Sequence, residues 1–227
     1  MKNTAKQDRA RGFSLIELMM VLVIALIIAA MAIPYFINIV RTYRLRVAAT
    51  DAMGIVQQGR MRSVQDSRFY SIYYIGANPL QQYYVDIFPK NANGTSGTGG
   101  TNVLNGDPVI GIPGEVVPQP VGNAPDTIAL KNLFLPGSNV NPYDGFDPTT
   151  PISFGAEGVP CLPMGAAQGV VGGSICNTRS NWKNPGAPVA YWLFFQHTIN
   201  QNWQAVTITP AGRIQRWVYF SGGWSLG

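Results

Sequence analysis

From Phe13 to Ile33 twenty-one residues run with only Ser14 and Glu17 as polar interruptions. At about 1.5 Å per residue, a helix of that length covers about 30 Å, the hydrocarbon thickness of a bilayer. After Pro34 the pattern turns amphipathic. Phe36, Ile37, Val40, Tyr43 and Val47 recur at helical spacing with Arg41, Arg44 and Arg46 between them, and Ala48, Ala49 and Ala52 carry the helix towards Gln65. One helix is predicted over about 13 to 65, leaving at Asp66-Ser67. The period then switches to that of strands. Arg68–Ile75 and Gln82–Phe88 are rich in aromatic and β-branched residues and predict a hairpin around Asn78-Pro79. Asn91 to Gly106 reads as a loop. Pro108 to Pro188 is punctuated by Pro and Gly, with short apolar pieces at Thr127–Leu135 and Ile152–Phe154 and no topology assigned. Val189–His197, Trp203–Thr209 and Arg213–Phe220 predict three strands, the last two joined by Thr209-Pro210-Ala211-Gly212. The fold class is therefore α+β: a long N-terminal membrane-spanning helix packed on a C-terminal antiparallel β-rich head. Its segments are residues 1–12, 13–33, 34–66 and 67–227.

Charge changes the picture at the N-terminus. Lys2, Lys6, Arg9 and Arg11 stand against Asp8 in a short hydrophilic leader. A secretory signal has an apolar core of about 7–15 residues followed by a small-residue cleavage site. Here the apolar run is longer, and the small residue at the junction, Gly12, lies in front of it. Cutting after Gly12 removes the leader and keeps the helix. Overall net charge is +5, but without the leader twelve bases face ten acids, so net charge gives no argument for a polyanion partner. Glu17 is a carboxylate inside an apolar run, a costly placement that usually marks function.

This arrangement resembles the type IV pilin-like superfamily of type IV pilins, minor pilins and type II secretion pseudopilins. The resemblance rests on Arg11-Gly12-Phe13-Ser14-Leu15-Ile16-Glu17 leading into a membrane-length helix. It implies cleavage after Gly12 by prepilin peptidase, N-methylation of Phe13, a register-setting role for Glu17 and a helix kink at Pro34. In a helical assembly the Glu17 carboxylate would neutralise the N-terminal ammonium of a neighbouring subunit, a pairing strengthened by burial. The competing reading is a plain signal anchor. The head narrows the resemblance to H-type pseudopilins and FimT-like minor pilins: Ala48–Arg62 leading into Ser67–Ile75, Ile152-Ser153-Phe154 with Gly158 behind it, and Ile208–Arg213. The implied protein is a low-abundance filament subunit in a type II secretion pseudopilus or a type IV pilus. It would be anchored in the inner membrane with its head in the periplasm, and its partners would be other pilins or pseudopilins. Both flanks of the apolar run are basic, so orientation comes from the resemblance and not from the charge rule.

The remaining chemistry is sparse. Cys161 and Cys176 form a disulfide if the head lies in an oxidising compartment, worth about 3 kcal/mol for a loop of that size, and are two thiols otherwise. The chain has one histidine, His197, in an aromatic strand pattern where a structural role is expected. There is no Gly-x-Ser-x-Gly, phosphate-binding loop or His-Glu-x-x-His, so no enzyme is read, no cofactor, and no metal site from Cys and His. Asn141, Asp144 and Asp147 have the oxygen ligands calcium takes, without EF-hand spacing. Arg41, Arg44 and Arg46 read as a solvated face, with lipid headgroups as the alternative. Arg213, Arg216, Trp217, Tyr219 and Trp224 combine cations with rings, as DNA contacts do. Some FimT-like minor pilins take up DNA with basic residues near the C-terminus. Strand alternation, however, puts Arg213, Gln215, Trp217 and Tyr219 on one face and Ile214, Arg216, Val218 and Phe220 on the other. DNA contact through Arg213 and Arg216 is the alternative function, with an ordinary half-buried strand preferred.

Overall fold

The computed structural model describes residues 14–67, 70–75, 82–87, 109–147, 151–163, 176–177 and 189–227. The cleavage junction Gly12-Phe13, the Asn78-Pro79 turn and the 91–106 loop lie outside these. The chain divides into two compact units, Met1–Val40 and Arg41–Gly227.

Helix α1 spans Leu15–Gln65. It runs through Pro34, whose missing N–H leaves the Ala30 carbonyl without its intrahelical donor. In the first unit every large apolar side chain from Leu15 to Ile39 is exposed. The second unit begins on the same helix with a different pattern. Leu45, Ala48, Ala49, Ala52, Ile55, Val56, Gly59 and Ser63 are buried at spacings of three and four. The buried stripe is thus not the one the larger residues predict, since Phe36, Ile37 and Tyr43 stay exposed. Three alanines keep this face low, so the backbone of the helix approaches the sheets closely. The helix ends at Asp66-Ser67 as expected, with Ser67 at φ 50°.

The head contains two sheets. In the first the strand order is β3-β2-β1-β6-β7-β8, made from Val109–Gly111, Gln82–Ile87, Tyr70–Ile75, Ile152–Phe154, Pro160–Pro163 and Cys176–Asn177. The predicted hairpin is present, with Tyr70 opposite Ile87 and Ile75 opposite Gln82. β1 also pairs with β6, setting Ser71 against Ser153, whose hydroxyls meet at 2.6 Å in the core. The second sheet is ordered β12-β11-β10-β9-β4, from Gly223–Leu226, Ile214–Phe220, Trp203–Ile208, Tyr191–His197 and Val116–Gln119. The two-residue β5, Tyr143–Asp144, runs parallel to the start of β9.

β9 reads as a nearly continuous apolar run because both its faces are covered. Tyr191, Leu193 and Phe195 join Val206 and Ile208 of β10 in a core with α1, β1 and β6. Trp192 and Phe194 join Ala205, Trp217 and Trp224 in a second core under helix α2, Thr127–Phe134. That helix is one of the apolar pieces the sequence left unassigned. Asp126 caps it by accepting from the Ala129 N–H at 3.3 Å, and Leu130 and Phe134 face the sheet. Tyr74 of the first sheet, Phe146 and Phe195 of the second stack edge to face at 5.4 and 5.5 Å and tie the sheets together.

Candidate assembly helix and head surfaces

Among the described residues one helix, α1, is long and apolar enough to cross a membrane. Its most apolar window has a mean hydropathy of 2.9 and no buried residue. Glu17 sits in its first turn. Ser14 precedes the helix and Glu17 follows three positions on, the spacing of a capping box. The positive end of the helix dipole also favours a carboxylate there. Glu17 therefore occupies a local position that tolerates its charge, and its side chain is exposed.

Farther along α1, one flank carries Arg44 and the other Arg46 and Arg60. Arg44 Nη1 lies 2.8 Å from Glu115 Oε2, and His197 Nε2 lies 3.4 Å from the same oxygen. The contact is a close ion pair at an oxygen withdrawn from solvent. The Arg44 guanidinium, first by hydrogen bonding and then by its charge, holds the Glu115 carboxyl below the usual range, with His197 adding to the effect. His197 is fully buried, and its Nδ1 accepts the N–H groups of Ile199 and Asn200 at 3.2 and 3.4 Å. Its ring proton therefore lies on Nε2, facing Glu115. Nδ1 holds the turn after β9 while Nε2 faces Glu115, an arrangement that suits a structural histidine, and the ion pair with Glu115 occupies one of the three arginines.

Arg60 has a role that the sequence does not advertise. Its Nε donates to the Gly158 carbonyl at 2.9 Å and its Nη1 to the Gly212 carbonyl at 2.8 Å. Gly158 and Gly212 have φ of +71° and +78°, and a Cβ on either would stand within 3 Å of Val64 or Arg60. Two turns from different sheets are thereby fastened to one helix by one guanidinium. Gly158 and Gly212 are readable in the sequence as turn glycines, but nothing there names Arg60 as the group that meets them.

The C-terminal cluster is separated as alternation predicted, with one correction. Arg216 lies opposite Val206, whose side chain is in the α1 core, and donates to Gln204 Oε1 at 3.2 Å. Desolvation, then the nearby Arg46 charge, lowers its pKa. Trp217 and Trp224 lie in the α2 core, their indole N–H groups donating to Thr207 Oγ1 at 2.9 Å and to the Pro125 carbonyl at 3.0 Å. Arg213 does not share their face. The Thr209–Gly212 turn ends with the Thr209 N–H bonded to the Arg213 carbonyl, so the strand begins at Ile214 and Arg213 lines a groove with Met61 and Val64 of α1.

Asp144 and Asn141 have their oxygens turned to protein donors. Asp144 accepts from the Phe146 and Val121 N–H groups at 3.0 and 3.2 Å, and Asn141 from Lys131 at 3.0 Å. Burial nevertheless pushes Asp144 up, since desolvation outweighs the two backbone donors. No group of three or more His, Cys, Asp or Glu residues is placed to hold a metal among the described residues. Cys161 is buried beside the β7–β8 pairing that carries Cys176, and no described cysteine is a free thiol.

Compared with known protein families, residues 7–33 match the prokaryotic N-terminal methylation motif. That match takes in Gly12, Phe13 and Glu17 and ends where the apolar run ends. It supports a type IV pilin-like protein with a prepilin peptidase processing signal, and pilin-like proteins are structural subunits, not enzymes. An apolar N-terminal helix carrying this motif is consistent with membrane anchoring. Neither curated proteins nor solved structures give a match.

Proposed function

We propose that this chain is a minor pilin or pseudopilin, a structural subunit cleaved after Gly12, N-methylated at Phe13 and assembled into a type II secretion pseudopilus or a type IV pilus. The observation that carries the reading is the methylation-motif match over residues 7–33 on an exposed apolar helix with Glu17 in its first turn. Before assembly the helix holds the chain in the inner membrane with the head on the periplasmic side. In the filament, apolar helices pack on one another and the Glu17 carboxylate pairs with the N-terminal ammonium of a neighbouring subunit. In that oxidising compartment Cys161 and Cys176 form a disulfide across the β7–β8 pair.

The head presents surfaces to partners and does no chemistry. DNA capture through Arg213 and Arg216 is the competing reading. Against it, Trp217 and Trp224, the rings that would stack on bases, are buried on the opposite face of the sheet.

The test is Glu17→Gln. Glutamine also serves at the third position of a capping box, so the first turn is kept while the charge is removed. The variant should be processed normally and fail to enter filaments. Incorporation at the wild-type level would overturn the pairing role.

A further inference from the structure

The end of α1 and the β10–β11 turn enclose a groove that the assembly reading does not use. Its volume is 620 Å³, within the roughly 300–1,000 Å³ typical of ligand clefts. The floor is apolar, made by Met61, Val64 and Ile214, with Gln57, Arg60 and Arg213 at its edges. Met61 and Val64 are 64% and 51% exposed, on a stretch of helix whose other face, Ala52 to Ser63, is buried in the head. No carboxylate lines the groove.

The two arginines differ in availability. Arg60 is committed to the Gly158 and Gly212 carbonyls and acts as a fixed positive wall. Arg213 contributes its backbone N–H to Thr209 Oγ1 and keeps its exposed side chain clear of any carboxylate among the described residues. An apolar floor beside one fixed and one available guanidinium is complementary to an apolar side chain next to a carboxylate. A nucleic acid fits less well, because no aromatic ring lines the groove and only one guanidinium is available for phosphate.

We propose that this groove docks a protein segment in which an apolar side chain neighbours Asp or Glu, the apolar group covering Met61, Val64 and Ile214 and the carboxylate bridging to Arg213. The inference goes beyond the filament reading and does not depend on it. N-terminal processing can fail while the groove still binds, and the converse also holds.

The experiment uses the full chain in detergent micelles and three fluorescent probes: a peptide of alternating leucine and glutamate, its leucine–lysine counterpart, and a single-stranded oligothymidylate. The acidic peptide should bind saturably below about 1 mM and at least about tenfold more tightly than the basic one. Arg213→Glu should remove that preference, and Met61→Glu should abolish binding of the acidic peptide; both positions are exposed, so neither change threatens the fold. Equal binding of the two peptides, absence of saturable binding, or displacement of the acidic peptide by the oligonucleotide would overturn the proposal.

Discussion

Replacing Arg60 by alanine should destabilise the head although the side chain lies outside the apolar core. The guanidinium makes two charge-assisted hydrogen bonds, at 2.9 and 2.8 Å, to carbonyls of two buried glycine residues. Such bonds are worth roughly 1.5–3 kcal/mol each. Because Arg60 lines an open groove, water reaches part of the space the side chain leaves and recovers some of that loss. The lower end, about 3 kcal/mol, is the expected cost. For a unit the size of Arg41–Gly227 this lowers Tm by about 6–12 °C. All five tryptophans lie beyond residue 180, so thermal melting of the full chain in detergent, followed by tryptophan fluorescence, reports on the head. Arg60→Lys should recover only part of the loss, since one ammonium cannot span two carbonyls in the geometry of a guanidinium. A melting temperature for Arg60→Ala within about 2 °C of wild type would refute the idea that this side chain fastens the two turns.

Gly158→Ala should act on the same joint, through a Cβ 2.7 Å from Val64 Cγ2 and a positive φ costing about 1–2 kcal/mol. Combined with Arg60→Ala its effect should be less than additive, which a double-mutant cycle of melting temperatures would measure. Trp217→Phe should cost about 1–2 kcal/mol by leaving Thr207 Oγ1 without its buried donor, while Thr207→Val in the same background restores much of it. Glu115 is held below its usual pKa, so the stability it contributes is present above the unfolded-state value and is lost as pH falls through the folded one. Glu115→Gln should therefore melt below wild type at neutral pH, with the gap closing as pH drops to about 3. A gap that persists undiminished in acid would contradict the ion pair with Arg44.

Much of this architecture is legible in the sequence because it is written in local runs and local periodicity. The unbroken apolar run, the exit at Asp66-Ser67, the first hairpin and the strands at 191–197, 203–208 and 214–220 all follow from short contiguous stretches of the chain. The buried stripe on α1 is less legible, since alanine packs as well as leucine where a helix lies close to a sheet, and the larger residues at Phe36 and Tyr43 draw attention to the wrong face. Helix α2 is eight residues long and hides in Pro- and Gly-rich surroundings; Asp126 ahead of Ile128 and Leu130 was its one available signal. β12 is hard to read in the sequence because it is four residues long and opens at the pair Gly222-Gly223; Ser221 and Gly222, both at positive φ, form the tight turn that starts it.

The assembly motif is readable because it is contiguous. The head surfaces are not, because each joins residues far apart in the chain. Arg60 meets carbonyls 98 and 152 positions away, and Arg44 meets Glu115 across the fold. No periodicity reports such meetings, which depend on how β1 crosses to β6 and how β9 gathers β4 and β5 along one edge. The same topology moved Arg213 away from the tryptophans and into the groove.

The N-terminus of the mature chain separates a processed filament subunit from a plain signal anchor. Mass spectrometry of the protein isolated from cells that carry a prepilin peptidase should find a chain beginning at Phe13 with its amino group methylated, and none of the leader Met1–Gly12. A mature protein that retains Lys2 through Gly12, with Phe13 unmodified, would return the helix to the role of a plain signal anchor.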